Sequence, residues 1–463
     1  MSDDLQQRLL EEQQDARALT RAFEYAKAFV EYASTRRPYP YETAIGKARG
    51  ATSHLPQRGQ DADSVIDELQ EKFSNACVNS IGGRYFGFVT GGVLPVARAA
   101  RLLSDTWDQN APLFRTSPAA SAVEDICEDW LRTLFGLPPE TVAGFVSGSS
   151  LAIYCGLAAA RWRLLQRQGW DINAKGLAGA PSLRVIAGEQ AHATVVKAVT
   201  LLGLGTDNIE WVETGRDGRI ATDKVPPLDE RTMLLLQAGN VNGGAFDDFK
   251  ILCAKANDAG AWVHVDGAFG LWAAAAKQYA HLTEGMNNAM SWSCDAHKTL
   301  NTPYDCGVVF CRDREALNTA LHATGSYLEH GADRDGMFFT PELSRRARAF
   351  DVWAALSYLG RDGVDNLVSL LCERASQFAQ EITEAGFELA AEPSFNQLMF
   401  ACKSDEETNS VLRAVQEGGE CWAAGAEWFG RRVIRISVCS WATTPEDIKR
   451  SVDAFKAARA ELG

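Results

Sequence analysis

Short apolar, β-rich stretches alternate with helical stretches between about residues 80 and 320, and this alternation constrains the fold more than any other feature. The β-rich stretches are apolar throughout rather than at every second residue. Strands of this kind are buried on both faces, so the pattern predicts an α/β domain whose mainly parallel sheet is covered by helices on both sides. The predicted strands are residues 143–146, 183–187, 232–238, 261–265, 290–294 and 306–311. Ligands of such sheets bind at the carboxyl ends of the strands.

Helical segments lie on both sides of this α/β region. A helical pattern with an apolar face covers residues 5–32, and two prolines follow it. Further helices and short strands follow residue 340 and predict a smaller α+β domain. A chain of 463 residues exceeds the usual size of one hydrophobic core. We therefore expect an N-terminal helical segment (1–80), a large α/β domain (81–340) and a small C-terminal domain (341–463).

The composition is that of an acidic protein of the cytoplasm. The formal net charge of −14 disfavours nucleic acid or an anionic membrane as the main partner. The N-terminus lacks the pattern of a signal peptide, and no apolar run approaches the roughly 20 residues that span a bilayer. The eleven cysteines include no C-x-x-C pair, which indicates free thiols in a reducing compartment. We expect no disulfides and no bound metal.

Two motifs at predicted strand ends contain the residues with the most distinctive chemistry. H-V-D-G-A-F-G places Asp266 at the end of strand 261–265, and D-A-H-K places Lys298 just after strand 290–294. A carboxylate at a buried strand end must be solvated, paired or bonded to a cation. A lysine in a partly apolar pocket has a lowered pKa and becomes a nucleophile. These two residues are therefore candidates for a reactive site at one edge of the sheet.

Three further polar elements also follow predicted strands. They are S-G-S-S (147–150), Q-A-H (190–192) and Q-A-G-N-V-N (237–242). The backbone N–H groups and hydroxyls of S-G-S-S would form an anion site at a helix N-terminus. Because the carboxyl ends of parallel strands share one edge, we expect all five elements to lie close together.

Each feature has a more ordinary explanation when it is taken alone. A lone lysine is usually a surface charge, a strand-end aspartate or S-G-S-S is usually a cap or a turn, and one histidine is usually a polar contact. The combination is what pyridoxal 5′-phosphate (PLP) requires: a lysine for its aldehyde, an acid for its pyridine nitrogen, an anion site for its phosphate and a flat neighbour for its ring. Lys298, Asp266, Ser149 with Ser150, and His192 supply these in turn.

From about Gly82 to the C-terminus the sequence resembles the PLP-dependent group II amino-acid decarboxylases. The matching motifs are R-Y-F-G-F-V-T-G-G-V-L-P (84–95), T-S-P-A-A-S-A-V-E (116–124), E-Q-A-H (189–192), G-A-F-D (244–247), H-V-D-G-A (264–268), D-A-H-K (295–298), Y-D-C-G (304–307) and R-R-A-R (345–348). The resemblance implies the PLP-dependent transferase fold type I. It also implies decarboxylation of an L-amino acid through a Schiff base of Lys298, in a homodimer with active sites at the interface.

The resemblance also implies a role for each matching residue. Lys298 would bond the cofactor, with His297 as its neighbour, and Asp266 would bind the pyridine nitrogen. The other cofactor contacts would come from Gly148, Ser149, Ser150, His192, which stacks on the ring, Asn240, and Ala268, which packs beneath the ring. Phe88 and Thr90 fall in a stretch that lines the substrate side in relatives. An aromatic lining would accept an aromatic or aliphatic amino acid.

The stretch from His330 to Pro341 departs from the family pattern. Many decarboxylases have a tyrosine there that protonates the substrate carbon, whereas this stretch has Phe338 and Phe339. Some relatives with phenylalanine couple decarboxylation to oxidative deamination. Aldehyde formation, transamination and aldehyde-lyase chemistry therefore stay open as alternatives, and a non-catalytic PLP-binding protein is a more remote one. His192 or this loop would supply the proton.

Overall fold

A seven-stranded sheet forms the centre of the structure, a computed structural model that describes residues 2–51, 55–321 and 333–462. The strands are β1 (Val142–Val146), β2 (Arg184–Gly188), β3 (Ile209–Val212), β4 (Thr232–Gln237), β5 (Trp262–Asp266), β6 (Ser291–Asp295) and β7 (Gly307–Cys311). Their order is β1-β7-β6-β5-β4-β2-β3. The five strands from β6 to β3 are parallel, and β7 is antiparallel to both of its neighbours. The predicted α/β fold with a mainly parallel sheet is confirmed.

The direction of β7 follows from the short segment that precedes it. A parallel return requires a crossover of a dozen or more residues, usually with a helix. Only residues 296–306 separate β6 from β7, and they contain no helix, so β7 returns antiparallel. All six predicted strands lie within one residue of their expected bounds. The prediction missed β3, which has four residues, lies at the sheet edge and leaves Trp211 exposed.

Helices cover both faces of this sheet. They are α5 (Pro95–Trp107), α6 (Pro118–Leu134), α7 (Ser149–Arg167), α8 (Ile172–Lys175), α9 (Ala193–Leu201), α10 (Phe249–Asp258) and α11 (Arg314–Leu321). Four N-terminal helices precede them: α1 (Ser2–Asp15), α2 (Arg17–Glu31), α3 (Glu42–Gly50) and α4 (Ala62–Phe73). The helix α7 is apolar almost all round and packs across β5, β6 and β7. It belongs to one of two large core clusters.

The single helix predicted over residues 5–32 is wrong, because the chain forms α1 and α2 with a break at Ala16. Ala16 has a left-handed backbone (φ 50°) that a continuous helix does not allow. After the break α2 packs on α4, where Asp67 accepts hydrogen bonds from Arg21 and, at 2.6 Å, from Tyr25. Apolar side chains of both helices, such as Leu9 and Phe23, stay exposed.

A second, antiparallel sheet lies nearer the C-terminus. Its order is β10-β11-β9-β8, with β8 at Glu388–Leu389, β9 at Gln397–Ala401, β10 at Ala424–Trp428 and β11 at Arg431–Ser437. The helices here are α12 (Ala349–Glu384), α13 (Asp405–Gly418) and α14 (Pro445–Leu462). The long α12 packs on α5 and α6 and also on α14, so it joins the two sheet regions. Its backbone is non-helical at Gly360.

Candidate active site

A cavity of about 540 Å³ opens at the carboxyl ends of the central strands. This volume lies in the usual range for small-ligand sites. The lining includes residues that follow β1, β4, β5 and β6, because these strands end at the same edge of the sheet. Nine residues expected at a cofactor or substrate site line it: Phe88, Gly148, Ser149, Ser150, His192, Asp266, Ala268, His297 and Lys298. Nine of the eleven predicted site residues therefore share one cavity.

Asp266 is a buried acid held by its own strand end and by the next strand. Its Oδ1 accepts hydrogen bonds from Ala268 N and from Ser293 Oγ, both at 3.2 Å. Ser293 lies on β6, directly across from Asp266 in the parallel pairing. Since both bonds use Oδ1, the other oxygen of this carboxylate is suited to bind a protonated ring nitrogen.

Lys298 reaches the same cavity from the segment after β6. Its Nζ lies 3.0 Å from Asp295 Oδ2, and its side chain is mostly buried. Burial lowers the pKa of Lys298, but the charges of Asp295 and Asp266 outweigh burial, so the pKa is raised above its ordinary value. The lowered pKa expected for Lys298 from its sequence position is therefore wrong. That expectation did not include Asp295, which ends β6 and is the nearest acid to the lysine.

The predicted anion site lies at the start of α7. Ser149 is buried at the first turn, where backbone N–H groups have no partner within a helix. Its hydroxyl donates a short hydrogen bond to Asp295 Oδ2. The preceding Gly148 lies beside the His297 ring, because a Cβ there would be 3.4 Å from it, an ordinary contact distance. A small anion therefore meets backbone donors and a hydroxyl at this point.

His192 caps α9 and is held by one ring nitrogen. Its Nδ1 accepts a hydrogen bond from Thr194 N at 3.3 Å and lies 2.7 Å from Thr194 Oγ1. With Nδ1 as an acceptor, the neutral ring carries its proton on Nε2. Burial lowers the pKa of His192, and the positive charges of Lys298 and Arg435 lower it further, although Asp266 opposes them. The imidazole is therefore neutral near neutral pH.

Two predicted residues do not line the cavity. The side chain of Asn240 donates to Gln190 O at 3.0 Å and accepts from Asn242 N at 2.9 Å, so it supports its own loop. We correct its predicted contact with the cofactor for this reason. Thr90 also lies outside the lining.

Asp295 and Tyr304 are two of the cavity residues that were not predicted. Asp295 is 1% exposed and contacts Lys298 and Ser149. The signal for it was present, because Asp295 ends an apolar strand in the same way as Asp266. Tyr304 packs its ring 4.2 Å from that of His297. Tyr304 belongs to the family motif Y-D-C-G (304–307), but it follows no parallel strand and reaches the cavity through the antiparallel return of β7.

The phenylalanines that replace the expected loop tyrosine are core residues. Phe339 is buried under the guanidinium of Arg334, and Phe338 packs against the same core cluster. Neither residue lines the cavity. The stretch His330 to Pro341 begins with three residues that lie outside the described residues. Within the single chain, Phe338 and Phe339 therefore contribute to the core and not to the cavity.

The residues of this cavity fit PLP. Lys298 offers an amine, Asp266 a carboxylate with one oxygen open to a ring nitrogen, and Ser149 a hydroxyl beside free backbone donors. Asp295 Oδ1 is a buried acceptor without a hydrogen-bond partner in the described structure. A polar group of a ligand is the natural partner for such an atom.

Comparisons with known proteins find pyridoxal-dependent enzymes. The model of the pyridoxal-dependent decarboxylase conserved domain matches residues 47–403. An aromatic-L-amino-acid decarboxylase of Drosophila lebanonensis is 28% identical over 370 residues, covering 74% of this chain and 90% of that protein. A phenylacetaldehyde synthase of Arabidopsis thaliana is 23% identical, with 86% of each chain covered.

The fold matches solved structures as well. The crystal structure of Oryza sativa TDC with PLP and tryptamine superposes with a TM-score of 0.89 at 21% identity and covers 98% of each chain. The match of the domain model covers more than half of the chain. The cavity supplies each group that the cofactor requires. The chain belongs to the pyridoxal-dependent decarboxylase family and is a PLP-dependent amino-acid decarboxylase.

Proposed function

We propose that Lys298 Nζ is the atom that bonds PLP, and that the enzyme decarboxylates an aromatic or large apolar L-amino acid. One observation carries the proposal: the amine of Lys298, the carboxylate of Asp266 and the hydroxyl of Ser149 open onto one cavity. These are the three anchors that the cofactor requires. The substrate class is supported by the apolar part of the lining and by the name of the aromatic-amino-acid decarboxylase relative.

Each anchor has a defined task. PLP, when bound, supplies the electron sink for the pair left by departing CO₂. Asp266 holds a proton at the pyridine nitrogen, because its carboxylate is fixed by Ser293 and Ala268 and cannot turn away. Ser149 and the first N–H groups of α7 hold the phosphate. His297 and Ala268 complete the lining around the ring.

His192 is the proposed proton donor to the substrate carbon. Its Nδ1 is occupied by Thr194, so Nε2 carries the proton of the neutral ring. An imidazole that faces the cavity can stack on a flat ring, and when protonated it can deliver one proton and return to the neutral ring. Phe338 and Phe339 lie in the core and take no part.

Arg435 is the proposed contact for the substrate carboxylate. The residue lies on β11 and is 9% exposed. Its Nη1 has only long contacts, at 3.4 Å to Val241 O and 3.5 Å to Asn242 Oδ1, while Nε has no partner in the described structure. Burial lowers the pKa of Arg435, and no carboxylate offsets it. A buried cation without an anion is a site for an anionic ligand, and neighbouring Val241 lines the cavity.

The substrate side chain would lie against an apolar wall. Phe88 is 63% exposed although it lines the cavity, and its ring lies 5.5 Å from that of Trp422. An exposed aromatic at a cavity mouth suits a flat substrate side chain. Lys197 also lines the cavity, and it is the group that an acidic substrate would meet.

We also infer a cytoplasmic homodimer. Apolar side chains on the packed helices α5 and α12 are exposed, among them Leu103, Trp107, Trp353 and Tyr358. Apolar area of this kind is typical of a subunit interface. The eleven cysteines are all free, which suits a reducing compartment. In the described part of the chain no helix is both long and apolar enough to cross a bilayer.

A screen of the twenty amino acids tests the proposed function. The purified enzyme is incubated with each one, and CO₂ release and product mass are measured. We expect CO₂ and an amine from aromatic substrates, and little product from glutamate or aspartate. Phe88→Ala should raise KM for aromatic substrates more than kcat changes. An aldehyde product would favour the aldehyde-forming alternative, and preference for an acidic substrate would refute the proposed substrate class.

A further inference from the structure

Asp295 is the most constrained charged group in the cavity, and the reaction described so far does not use it. Its side chain is buried at the end of β6. A single oxygen, Oδ2, accepts the hydroxyl hydrogen of Ser149, lies 3.0 Å from Lys298 Nζ and lies 3.7 Å from His297 Nε2. One carboxylate oxygen therefore contacts three groups that the cofactor would use.

The other oxygen of Asp295 lies in a space kept open by glycines. Oδ1 is buried and has no hydrogen-bond partner in the described part of the protein. A Cβ at Gly307 would lie 2.8 Å from this atom, and one at Gly148 would lie 3.7 Å from it. Gly148 and Ser149 are the start of the anion site. The unpartnered oxygen thus lies beside the position proposed for the cofactor's phosphate.

We propose that Asp295 binds the two groups that would anchor the cofactor, Lys298 and Ser149, in the cofactor-free protein. It must release both groups when PLP binds. The acid holds Lys298 as an ammonium ion and takes the Ser149 hydroxyl that the phosphate needs. Asp295 is therefore a positioning residue for cofactor capture. The inference rests on the proposed roles of Lys298 and Ser149.

Charge explains why release must accompany binding. Two anions in a buried site repel each other strongly, because the effective dielectric constant is low. A carboxylate that faces the phosphate site must therefore become neutral or turn away when the phosphate arrives. The cation that can supply a proton is Lys298, whose Nζ lies 3.0 Å from Asp295 Oδ2.

Transfer of that proton removes in one step both the positive charge of the lysine amine and the negative charge that repels the phosphate. The proton passes from Lys298 Nζ to Asp295 Oδ2 and leaves a neutral amine and a neutral acid. The amine nitrogen then adds to the aldehyde carbon, a C=N bond replaces the C=O bond, and one water leaves. No oxidant or reductant is needed. The protonated Asp295 no longer repels the phosphate, and it can donate a hydrogen bond to it.

The charge state of Lys298 supports this order of events. Burial alone lowers the pKa of Lys298, as expected for a nucleophilic lysine, but Asp295 reverses the shift and the pKa is raised. An amine held in its charged form does not attack an aldehyde. Removing the charge of Asp295 leaves burial as the dominant effect, so the lysine should become neutral at lower pH.

The test compares the wild-type protein with Asp295→Asn, whose amide keeps the shape and still accepts from Ser149. The full chain is freed of cofactor by dialysis against hydroxylamine, and its fold is checked by circular dichroism. The rate at which visible absorbance develops is then measured against pH with PLP and with pyridoxal, which lacks the phosphate. Asp351→Asn is the matched control. Asp351 is also buried, forms an ion pair through one carboxylate oxygen and has no partner at the other oxygen in the described structure. Its ion-pair partner is Arg101, which lies outside the cavity.

We expect the wild-type rate with pyridoxal to keep rising up to pH 10.5, the ordinary lysine pKa. The Asp295→Asn rate should reach its plateau at lower pH and exceed the wild-type rate at neutral pH by about tenfold for each unit by which the lysine pKa falls. The ratio of the Asp295→Asn rate to the wild-type rate should be larger with PLP than with pyridoxal. The Asp351→Asn protein should follow the wild type.

Several outcomes would overturn the inference. Equal pH profiles for the wild type and Asp295→Asn, or a slower variant, would show that the carboxylate does not hold back the lysine. Equal gains with PLP and pyridoxal would refute competition with the phosphate. If Asp295→Asn does not fold, a wild-type rate that reaches its plateau well below pH 10.5 would refute the inference by itself. A wild-type protein that develops no absorbance at any pH would instead refute the proposed function.

Discussion

Ser293 Oγ on β6 donates a 3.2 Å hydrogen bond to Asp266 Oδ1 on β5, so two neighbouring strands hold the acid proposed to face the cofactor ring. The carboxylate also accepts from Ala268 N, which fixes its orientation. The position of the charge is therefore set by two strands of the sheet and by one backbone N–H of the segment that follows β5.

Asp266→Asn should abolish most activity while leaving the fold intact. An amide can still accept these hydrogen bonds, but it cannot keep a ring nitrogen protonated. We expect kcat to fall about 100-fold or more, which is the scale for losing a preorganised electrostatic contact. Steady-state kinetics and the thermal midpoint check the result. A kcat close to that of the wild type would show that the ring nitrogen does not depend on this acid.

Gly307→Ala should weaken cofactor binding by crowding the phosphate site. A Cβ at Gly307 would lie 2.4 Å from Gly148 Cα and 2.8 Å from Asp295 Oδ1, and backbone at such a distance must shift. The shift displaces the start of α7, so the Kd for PLP should rise several-fold. Gly46→Ala is the control, because nothing lies within 4 Å of a Cβ there. Equal PLP affinity of the two variants, measured by fluorescence titration, would contradict this geometry.

His264 should make the protein less stable as the pH falls. The ring is buried on β5, its Nδ1 lies 2.8 Å from Ser291 Oγ, and burial lowers its pKa to about 3. An unfolded histidine binds a proton near its ordinary pKa of 6.5. Between these two pKa values His264 is protonated in the unfolded state and neutral in the folded state. The free energy of unfolding therefore falls by about 1.4 kcal/mol for each unit by which the pH decreases.

His264→Asn isolates this contribution. The amide can replace the contact with Ser291 but does not titrate. The variant should be less stable near neutral pH, because the smaller side chain leaves a cavity. Its free energy of unfolding, from urea titrations at several pH values, should fall less steeply below pH 6.5 than that of the wild type. Parallel curves for the two proteins would show that His264 is not the group responsible.

The sequence predicted the sheet and most of the site for one physical reason. Strands buried on both faces are continuous apolar runs, so their ends are visible in the sequence, and Asp266 and Lys298 mark two of those ends. Once the strands are parallel, their carboxyl ends meet at one edge. The convergence of the phosphate site, His192 and these two residues then follows without knowledge of the loops.

Other features depend on contacts that the sequence pattern does not contain. The break at Ala16 depends on the packing of α2 against α4, which a periodic apolar face does not predict. Tyr304 reaches the cavity because the segment before β7 passes His297. Asn240 was expected at the cofactor from the resemblance alone, whereas its amide bonds hold the loop that follows β4.

The most direct test of the central claim is to locate the covalent bond between protein and cofactor. The enzyme with PLP is reduced with borohydride and digested, and the peptides are analysed by mass spectrometry, with Lys298→Arg as the matched variant. We predict that the cofactor mass is found on Lys298 in the wild type and on no peptide of the variant, which should also lack visible absorbance. Cofactor attached to a different lysine, or retained covalently by Lys298→Arg, would contradict the account.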